Sequence, residues 1–534
     1  MKSCDEAPPP PPPPVVEEFD YIIVGAGPAE VEDATVLLLE TGGEPTEEED
    51  LKRLIPRFQL NEALMNPTFS RAAFTESSAS AINRRFHVYE GRSFGGGSNI
   101  FGALHHRPSL SDIDAWQWPG LNMTEALYYF KKSENHPLAG DSPFHGGPIP
   151  IHIDNDEDVH YGQDLLIQAA ANLGFPTPED MENGYNTIGV GTVNRAMANG
   201  RRLSSYDIWL PEELRLARSN LELRSGAQVL RVLIDHDATA YGVEYLKDTT
   251  RVKVRASREV ILSAGVARSP QILMLSGVGP AEHLESHGID VKVDLPGVGQ
   301  NYVERPRSIV AFASTQTDPA MTAAVSSGEV FYQWQMTGKG PLTKGSSGAK
   351  GTLSFPGVIP GSNFDFHFEF ASVLPTKEEI ALPPNSFIFV CFPSYPSSRG
   401  EEPRRSPNFF GDAYSMDLQN IMACIHTVRQ LTATPPLSSV TVQELLPRTA
   451  DDTELAGYIL SASAPTYHAA SSCKYGPDDD PSAVVDERFR VRGVNQLRVV
   501  DASVMPGLHP NNPTATIYML AERAADVIKD DNWI

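Results

Sequence analysis

The chain has 534 residues, with 43 Lys and Arg against 68 Asp and Glu, a formal net charge of −25 and a hydrophobic fraction of 41%. At about 150 residues per domain this length predicts two to four domains, and the composition is sufficient for a large core. The excess of acidic residues excludes the simplest binding to polyanions such as nucleic acid. The sequence contains no apolar run of about 18 residues, so we predict no membrane-spanning helix.

The N-terminal residues 1–18 form a separate arm in the sequence. Seven consecutive prolines, Pro8 to Pro14, favour a polyproline II conformation without internal hydrogen bonds. We predict a disordered, non-catalytic arm, with an SH3-type ligand as the less favoured alternative. The arm has no apolar segment of the kind found in secretory signals, so a cytoplasmic location is preferred.

Four cysteines are too few and too scattered for a disulfide framework or a thiolate metal site. They are Cys4, Cys391, Cys424 and Cys473. Two of them could still pair, and the redox compartment is therefore only weakly constrained. We predict no metal site.

The first predicted folded element is a strand that enters a glycine turn. The apolar run 21–24 is followed by Gly25 and Gly27, and a second apolar run, 36–39, ends at Glu40. Glycines let a backbone approach a pyrophosphate, and an acid at the end of the second strand accepts hydrogen bonds from a ribose hydroxyl. The pattern predicts a dinucleotide-binding unit, with a plain glycine turn between two core strands as the alternative.

The connection between these two strands is short. Only residues 28–35 separate the turn from the second strand, whereas a βαβ crossover needs about ten to twelve residues or more. The position of the third glycine holds Glu30, and Glu32 and Asp33 add negative charge where a diphosphate binds. The shortening is either real or an error in the gene model, and it predicts weakened binding of a dinucleotide.

Further strand and helix patterns follow along the chain. Runs that predict a small antiparallel meander lie at 221–224, 229–233, 243–246 and 252–254. A buried strand at 260–262, a helix from 269 to about 276, a strand at 497–501 and an amphipathic helix at 516–528 come later. In 364–370 aromatic residues alternate with polar ones, which predicts a strand with one face on a core and the other facing a cavity or water.

Taken in order, these segments resemble those of the glucose-methanol-choline (GMC) oxidoreductases, a family of FAD-dependent alcohol oxidases and dehydrogenases. The resemblance covers about residues 19–531. Its eight segments are FDYIIVGAG (19–27), VLLLETGG (36–43), GRSFGGGSN (91–99), YYFKKSEN (128–135), SAGVARSPQILMLSGVGP (263–280), LPGVGQN (295–301), HAASSCKYG (468–476) and VVDASVMPGLHPNNPTATIYMLAERAADVI (499–528). Eight matches in family order make a chance resemblance negligible.

The resemblance implies a catalytic pair facing the flavin. The histidine of its His-x-x-x-x-Cys segment corresponds to His468, and a His or Asn fourteen residues before Asp526 corresponds to Asn512. A histidine titrates near neutral pH, which suits removal of the hydroxyl proton while a hydride passes to flavin N5. Asn512 would hydrogen-bond the substrate oxygen, and His509 in the same loop is the competing candidate. The alternative for His468 is a structural histidine.

The remaining family positions imply the FAD contacts. These are Gly25 and Gly27 at the pyrophosphate, Glu40 at the ribose, Gly95, Gly96, Gly97 and Ser98 beside the isoalloxazine, the Val229 backbone at the adenine, and Asp501 and Ala502 at the flavin. Members with covalent FAD have a histidine at the position of Ile100, so we expect noncovalent FAD. Phe101 cannot supply the polar contact usual at its position, and 302–306 departs from the family's acid-histidine pair.

The resemblance also implies the fold class, which is α/β with α+β character overall. We expect a Rossmann-like FAD-binding domain and a second, antiparallel-sheet substrate domain. The FAD-binding domain would comprise residues 19–145, 190–305 and 468–534, and the substrate domain would comprise residues 146–189 and 306–467.

The expected function is FAD-dependent oxidation of a small alcohol, with oxygen or another compound as electron acceptor. Two alternatives stay open. One is a non-redox lyase or cyclase on the same fold, since acid–base chemistry needs only placement and pKa. The other is a degenerate chain with impaired FAD binding, which is motivated by the short crossover and Phe101. The patterns do not identify the alcohol, the acceptor or the oligomeric state.

Overall fold

The computed structural model describes residues 17–25, 34–56, 63–137, 143–153, 162–185, 187–316, 328–343, 347–354, 363–370, 382–383, 385–400 and 406–531. Residues 1–16 of the predicted arm lie outside this set. So do Gly27 and the acidic residues of the short crossover, Glu30, Glu32 and Asp33.

The strands that the structure describes are, in chain order, β1 (Glu18–Val24), β2 (Val36–Leu39), β3 (Ser70–Phe74), β4 (His87–Gly91), β5 (Glu134–Asn135), β6 (Ile149–Ile153), β7 (Gly189–Thr192), β8 (Asn194–Ala198), β9 (Arg201–Arg202), β10 (Leu221–Arg224), β11 (Ala227–Ile234), β12 (Ala240–Lys247), β13 (Thr250–Leu262), β14 (Val278–Gly279), β15 (Val293–Asp294), β16 (Pro306–Ser314), β17 (Ser347–Ser354), β18 (Asn363–Phe370), β19 (Ser386–Pro393), β20 (Thr441–Leu446), β21 (Ala464–Pro465) and β22 (Leu497–Val499).

The α-helices in the same part of the chain are α1 (Glu47–Arg53), α2 (Leu110–Asp114), α3 (Met123–Ser133), α4 (Gln163–Asn172), α5 (Ser205–Trp209), α6 (Glu212–Ala217), α7 (Arg268–Leu275), α8 (Ala281–Ser286), α9 (Gly328–Thr337), α10 (Met416–Ala433), α11 (Asp452–Ala462) and α12 (Thr514–Asp531). No helix among the described residues is both long and apolar enough to cross a membrane.

The first seven-stranded sheet contains the predicted dinucleotide-binding strands. Its order is β10-β2-β1-β13-β12-β11, and β22 also pairs with β13. β1 and β2 pair in parallel, with Tyr21 opposite Val36 and Val24 opposite Leu39. All four residues of β2 are buried, as expected for a parallel strand covered on both faces. The parallel pair predicted from the two apolar runs is therefore present.

The predicted four-stranded meander is wrong in two respects. β10 pairs in parallel with β2 at the sheet edge, so it is not part of the antiparallel unit. The runs at 252–254 and 260–262 belong to one continuous strand, β13, which pairs antiparallel with β12 in its first half and parallel with β1 in its second. Local alternation specifies which face is buried, but it does not specify the partner strand.

The second seven-stranded sheet is antiparallel, with the order β20-β16-β19-β18-β17-β7 and β21 also paired with β16. In β18 the side chains of Phe364, Phe366 and Phe368 pack into a core with α10. Asp365 and His367 alternate with them and lie on the opposite face, as the sequence pattern predicts. The strand β7 joins this sheet and spans the predicted domain boundary at residues 189 and 190.

One pair of cysteines forms a disulfide inside this second core. Cys391 of β19 is bonded to Cys424 of α10, with a Cα–Cα distance of 5.9 Å. The bond fastens the helix to the apolar face of the sheet. Cys473 is buried and free.

Candidate functional site

The carboxyl ends of four strands of the first sheet come together at one edge. Gly25 directly follows β1, Glu40 follows β2, the turn containing Gly265 follows β13, and Asp501 lies two residues after the end of β22. Asp501 Oδ2 accepts hydrogen bonds from the Gly265 N–H at 2.9 Å and from the Ser269 hydroxyl at 2.5 Å. This edge is where open α/β sheets bind nucleotides.

The backbone at Gly25 admits only glycine. Its φ is +95°, and a Cβ there would lie 2.3 Å from the carbonyl oxygen of Ser263. At the next strand end, Glu40 is buried, and its Oε1 accepts the Gly42 N–H at 2.7 Å. Burial raises the pKa of Glu40. A buried acid at this strand end fits the ribose contact of FAD.

The glycine-rich loop after β4 packs directly on the end of β2. A Cβ at Gly42 would lie 2.0 Å from the Arg92 carbonyl oxygen. The short 3₁₀ helix Gly96–Asn99 follows, and a Cβ on Gly96 or Gly97 would meet no atom within 4 Å. Ser98 Oγ accepts the Ser205 N–H at 2.9 Å. Backbone facing open space beside the β2 end fits a large flat ligand such as the isoalloxazine.

The other predicted FAD residues are placed unevenly. The start of β11, two residues before Val229, is bonded to the β2 end by the Ala227 N–H and the Glu40 carbonyl oxygen at 2.8 Å. Ala502 starts the 3₁₀ helix Ala502–Val504, and its carbonyl oxygen accepts the Ser471 N–H at 3.3 Å. The structure therefore brings the Asp501 segment next to the His468 loop. Gly27 lies outside the described residues.

His468 lies in the loop after β21, with its ring partly buried. Its backbone N–H donates to Glu304 Oε1 at 3.1 Å, and its ring meets Phe392 edge-on at 6.2 Å. Its Nδ1 is buried and has no hydrogen-bond partner among the described residues. Burial, and then the Arg305 guanidinium, hold the pKa of His468 well below its usual value. The imidazole is therefore neutral at physiological pH and has a free ring nitrogen.

The hydrogen bonds in the loop before α12 distinguish the two competing candidates, Asn512 and His509. His509 Nδ1 donates to the Pro510 carbonyl oxygen at 2.8 Å, so its Nε2 accepts from the Thr516 hydroxyl at 2.7 Å. Burial lowers the pKa of His509 to about 3, so both nitrogens of a neutral ring are in use. Asn512 is 7% exposed, and its Oδ1 has no partner among the described residues. The free hydrogen-bonding group is the one on Asn512.

Two adjacent buried residues join these loops. Glu304 Oε1 accepts from the Thr466 hydroxyl at 2.8 Å as well as from the His468 N–H. The Arg305 guanidinium donates to the Asn511 carbonyl oxygen at 2.6 Å and to the His509 carbonyl oxygen. Because Glu304 and Arg305 are consecutive, the two loops are fixed relative to one another.

The sequence marked 302–306 as a departure from a family pattern and did not reveal its contacts. Nothing in the pattern connects residue 305 with residues more than 200 positions away. The signal that was available is a charged pair, Glu304-Arg305, directly before the apolar strand β16. Charged residues are almost never fully buried unless paired, so the fold was needed to show that both are buried.

For the flavin-dependent reaction that the resemblance implies, we expect the substitution Arg305→Lys to lower the limiting rate of flavin reduction about 10- to 100-fold, because lysine cannot hold two carbonyl groups in a fixed fork. Substrate affinity should change less, since the residue acts through the 509–512 loop. Anaerobic stopped-flow spectroscopy separates the two quantities. The matched control is Arg523→Lys, a buried arginine that donates to the Pro119 carbonyl oxygen. An unchanged reduction rate in a folded Arg305→Lys protein would contradict the positioning role.

Comparison with known proteins gives concordant matches over nearly the whole chain. Two models of the GMC oxidoreductase family match, one over residues 19–307 and one over residues 394–521. The mitochondrial choline dehydrogenase of Mus musculus is 32% identical, with 96% of this chain and 90% of that protein covered. The oxygen-dependent choline dehydrogenase of Ectopseudomonas mendocina (strain ymp) is 33% identical, with coverages of 96% and 94%.

Solved structures are similar over the same extent. Pyridoxine 4-oxidase from Mesorbium loti superposes with a TM-score of 0.83 at 26% identity, with 96% of this chain and 99% of that chain covered. A formate oxidase superposes with a TM-score of 0.85 at 22% identity, with coverages of 97% and 99%, which supports the fold alone.

Proposed function

This chain belongs to the GMC oxidoreductase family, and we propose that His468 and Asn512 carry out the proton chemistry of its reaction. It is an FAD-dependent oxidoreductase that acts on an alcohol. Its fold is a Rossmann-like α/β sheet joined to a second, antiparallel sheet. The observation that carries the residue assignment is the pair of unpartnered buried atoms, His468 Nδ1 and Asn512 Oδ1, on two loops tied together by Glu304 and Arg305.

His468 serves as the base in this proposal. A neutral imidazole has a proton on one ring nitrogen and a lone pair on the other, and the lone pair accepts the hydroxyl proton of the alcohol. The bond from the His468 N–H to Glu304 holds the loop through its backbone, which leaves the ring free to exchange a proton. Asn512 orients the alcohol oxygen through its side-chain amide, which does not titrate.

FAD, when bound, supplies the acceptor for the hydride that leaves the alcohol carbon. The residues proposed to hold it are Gly25, Gly27, Glu40, Gly95 to Ser98, Val229, Asp501 and Ala502. We propose that no covalent bond forms, because Ile100 is buried in an apolar cluster with Ala63, Leu64 and Phe69 and offers no nucleophile.

The substrate is a small alcohol, and the final acceptor is oxygen or another compound. The relatives at 32% and 33% identity are named as choline dehydrogenases. The sequence by itself favours a cytoplasmic location. The Cys391–Cys424 disulfide favours an oxidising compartment instead, because disulfides are rare in the cytosol.

The function is tested by mixing the FAD-saturated protein anaerobically with a panel of primary alcohols. At least one alcohol should bleach the flavin absorbance. If none does while a chemical reductant bleaches it, alcohol oxidation is excluded. Reconstitution with a redox-inactive flavin analogue provides the control for a lyase, because only a lyase would retain turnover with that analogue.

A further inference from the structure

One face of the second sheet lies against the loop that carries Asn512. Asp365 Oδ2 accepts the Asn511 N–H at 2.9 Å, and the Thr352 hydroxyl donates to Asn511 Oδ1 at 3.2 Å. Lys350 and His367 lie directly opposite one another on β17 and β18, each two residues from Thr352 and Asp365 respectively. Side chains two residues apart on a strand share a face. Lys350 and His367 therefore belong to the face that covers the reaction centre.

A buried ion pair fixes the ring of His106 beside this face. The Lys350 ammonium contacts Glu182 Oε1 and lies 3.1 Å from His106 Nδ1. Glu182 Oε1 is also 3.1 Å from His106 Nδ1, and its Oε2 accepts the Arg107 N–H at 2.5 Å. Burial, and then the Lys350 ammonium, lower the pKa of His106 to about 4. His106 is thus a neutral ring held at Nδ1.

The outer nitrogens of two histidines are left unused. The rings of His106 and His367 are 6.1 Å apart, and Nε2 of each is buried without a hydrogen-bond partner in the described part of the chain. Asn511 Nδ2 is a third such atom. Buried polar groups are nearly always hydrogen-bonded, so a cluster of unused ones indicates a ligand that satisfies them.

The rings of His367 and His468 have a common neighbour in Phe392. The Phe392 ring is 5.2 Å from His367 and 6.2 Å from His468, and it meets both edge-on. His367 and His106 are also among the groups that lower the pKa of His468, after burial and Arg305. A substrate positioned for His468 would therefore extend toward the two histidines.

We propose that His106 and His367 form a subsite that binds a second oxygen of the substrate, so that the protein oxidises alcohols carrying a further hydroxyl group. This inference rests on the proposed function and specifies its substrate class. A hydroxyl both donates and accepts, so it satisfies either tautomer of each neutral ring.

The trimethylammonium group of choline cannot fill this subsite. Its methyl groups neither donate nor accept conventional hydrogen bonds, so both histidine nitrogens would stay buried and unpaired. Sites that hydrogen-bond a substrate hydroxyl reject analogues that lack it far more strongly than an apolar pocket rejects a missing methylene. The chain should therefore differ in substrate from the choline dehydrogenases that it resembles.

The test compares α,ω-diols of three to six carbons with n-alkanols in which a methyl group replaces the second hydroxyl, and with choline. Anaerobic stopped-flow measurement on FAD-saturated protein gives the reduction rate and the apparent Kd for each alcohol. The ratio of the reduction rate to the apparent Kd should be about 10-fold or more higher for the best diol than for the matching alkanol. In the variant His367→Phe the efficiency with the diol should be nearly equal to that with the alkanol, and His367→Gln should keep part of the preference for the diol. The exposed control His236→Phe should keep all of it.

Equal efficiency of diols and alkanols in the wild type would overturn the subsite without a mutant being needed, and so would a higher efficiency with choline. A diol preference that persists in His367→Phe would do the same. In all three cases bleaching still occurs, so the proposed function stands. If no alcohol bleaches the flavin, the proposed function fails and the subsite with it.

Discussion

His468→Ala is expected to lower the rate constant of flavin reduction by an alcohol about 10²- to 10⁴-fold, the usual contribution of a positioned general base. The loop should keep its position in this variant, because the bond to Glu304 comes from the backbone N–H. FAD content and Tm should therefore change little. Stopped-flow reduction, flavin absorbance and thermal denaturation measure the three quantities on the same preparation.

The pH dependence gives a second readout of the same residue. A base works when unprotonated, so the wild-type rate should be constant above the pKa of His468 and fall below it. Because burial and nearby cations lower that pKa, the fall should begin well below pH 6.5, the ordinary histidine pKa. The His468→Ala variant should lack this transition. A reduction rate that is unchanged in the variant, at any pH, would exclude His468 as the base.

The protein with its short crossover is expected to bind FAD about a hundredfold more weakly than a variant with a crossover of ordinary length and glycine at position 30. A helix N-terminus favours an anion by about 0.3–1 kcal/mol, or more when partly buried. Residues 28–35 are fewer than an ordinary crossover with its helix needs, and Glu30, Glu32 and Asp33 carry the same sign of charge as the diphosphate. Together these effects amount to roughly 3 kcal/mol, which is about two orders of magnitude in Kd.

Purification and titration test this expectation directly. The unmodified protein should purify largely colourless and gain thermal stability only at high added FAD, whereas the lengthened variant should be yellow. Glu30→Gly in the short chain is the matched control, because it restores the glycine without the length. A tightly flavinylated product from the unmodified chain would show that the short connection suffices. Sequencing the transcript across residues 28–35 shows which form the cell makes.

The local sequence pattern was sufficient to predict the two parallel strands of the first sheet that precede Gly25 and Glu40. Apolar runs ending in Gly25 and Glu40 predict two buried parallel strands, and the structure pairs them in that way. The alternation of aromatic and polar residues also predicts the core side chains of β18 that the structure describes, Phe364, Phe366 and Phe368. Both predictions succeed because burial on one or two faces leaves a period in the chain itself. The ordered motifs were likewise sufficient to identify the family, whereas the roles of the individual catalytic and FAD-binding residues stay predictions.

Contacts between distant segments were decided by the tertiary structure. The motif spacing favours Asn512 over His509, but only the packed loop shows that both nitrogens of His509 are used by Pro510 and Thr516. The same holds for Arg305, whose partners lie more than 200 residues away, and for the strand β10, whose alternation suits either orientation. Periodicity records how deeply a residue is buried. The identity of its partner depends on how all the elements assemble, because a hydrogen bond requires two groups to arrive at one place together.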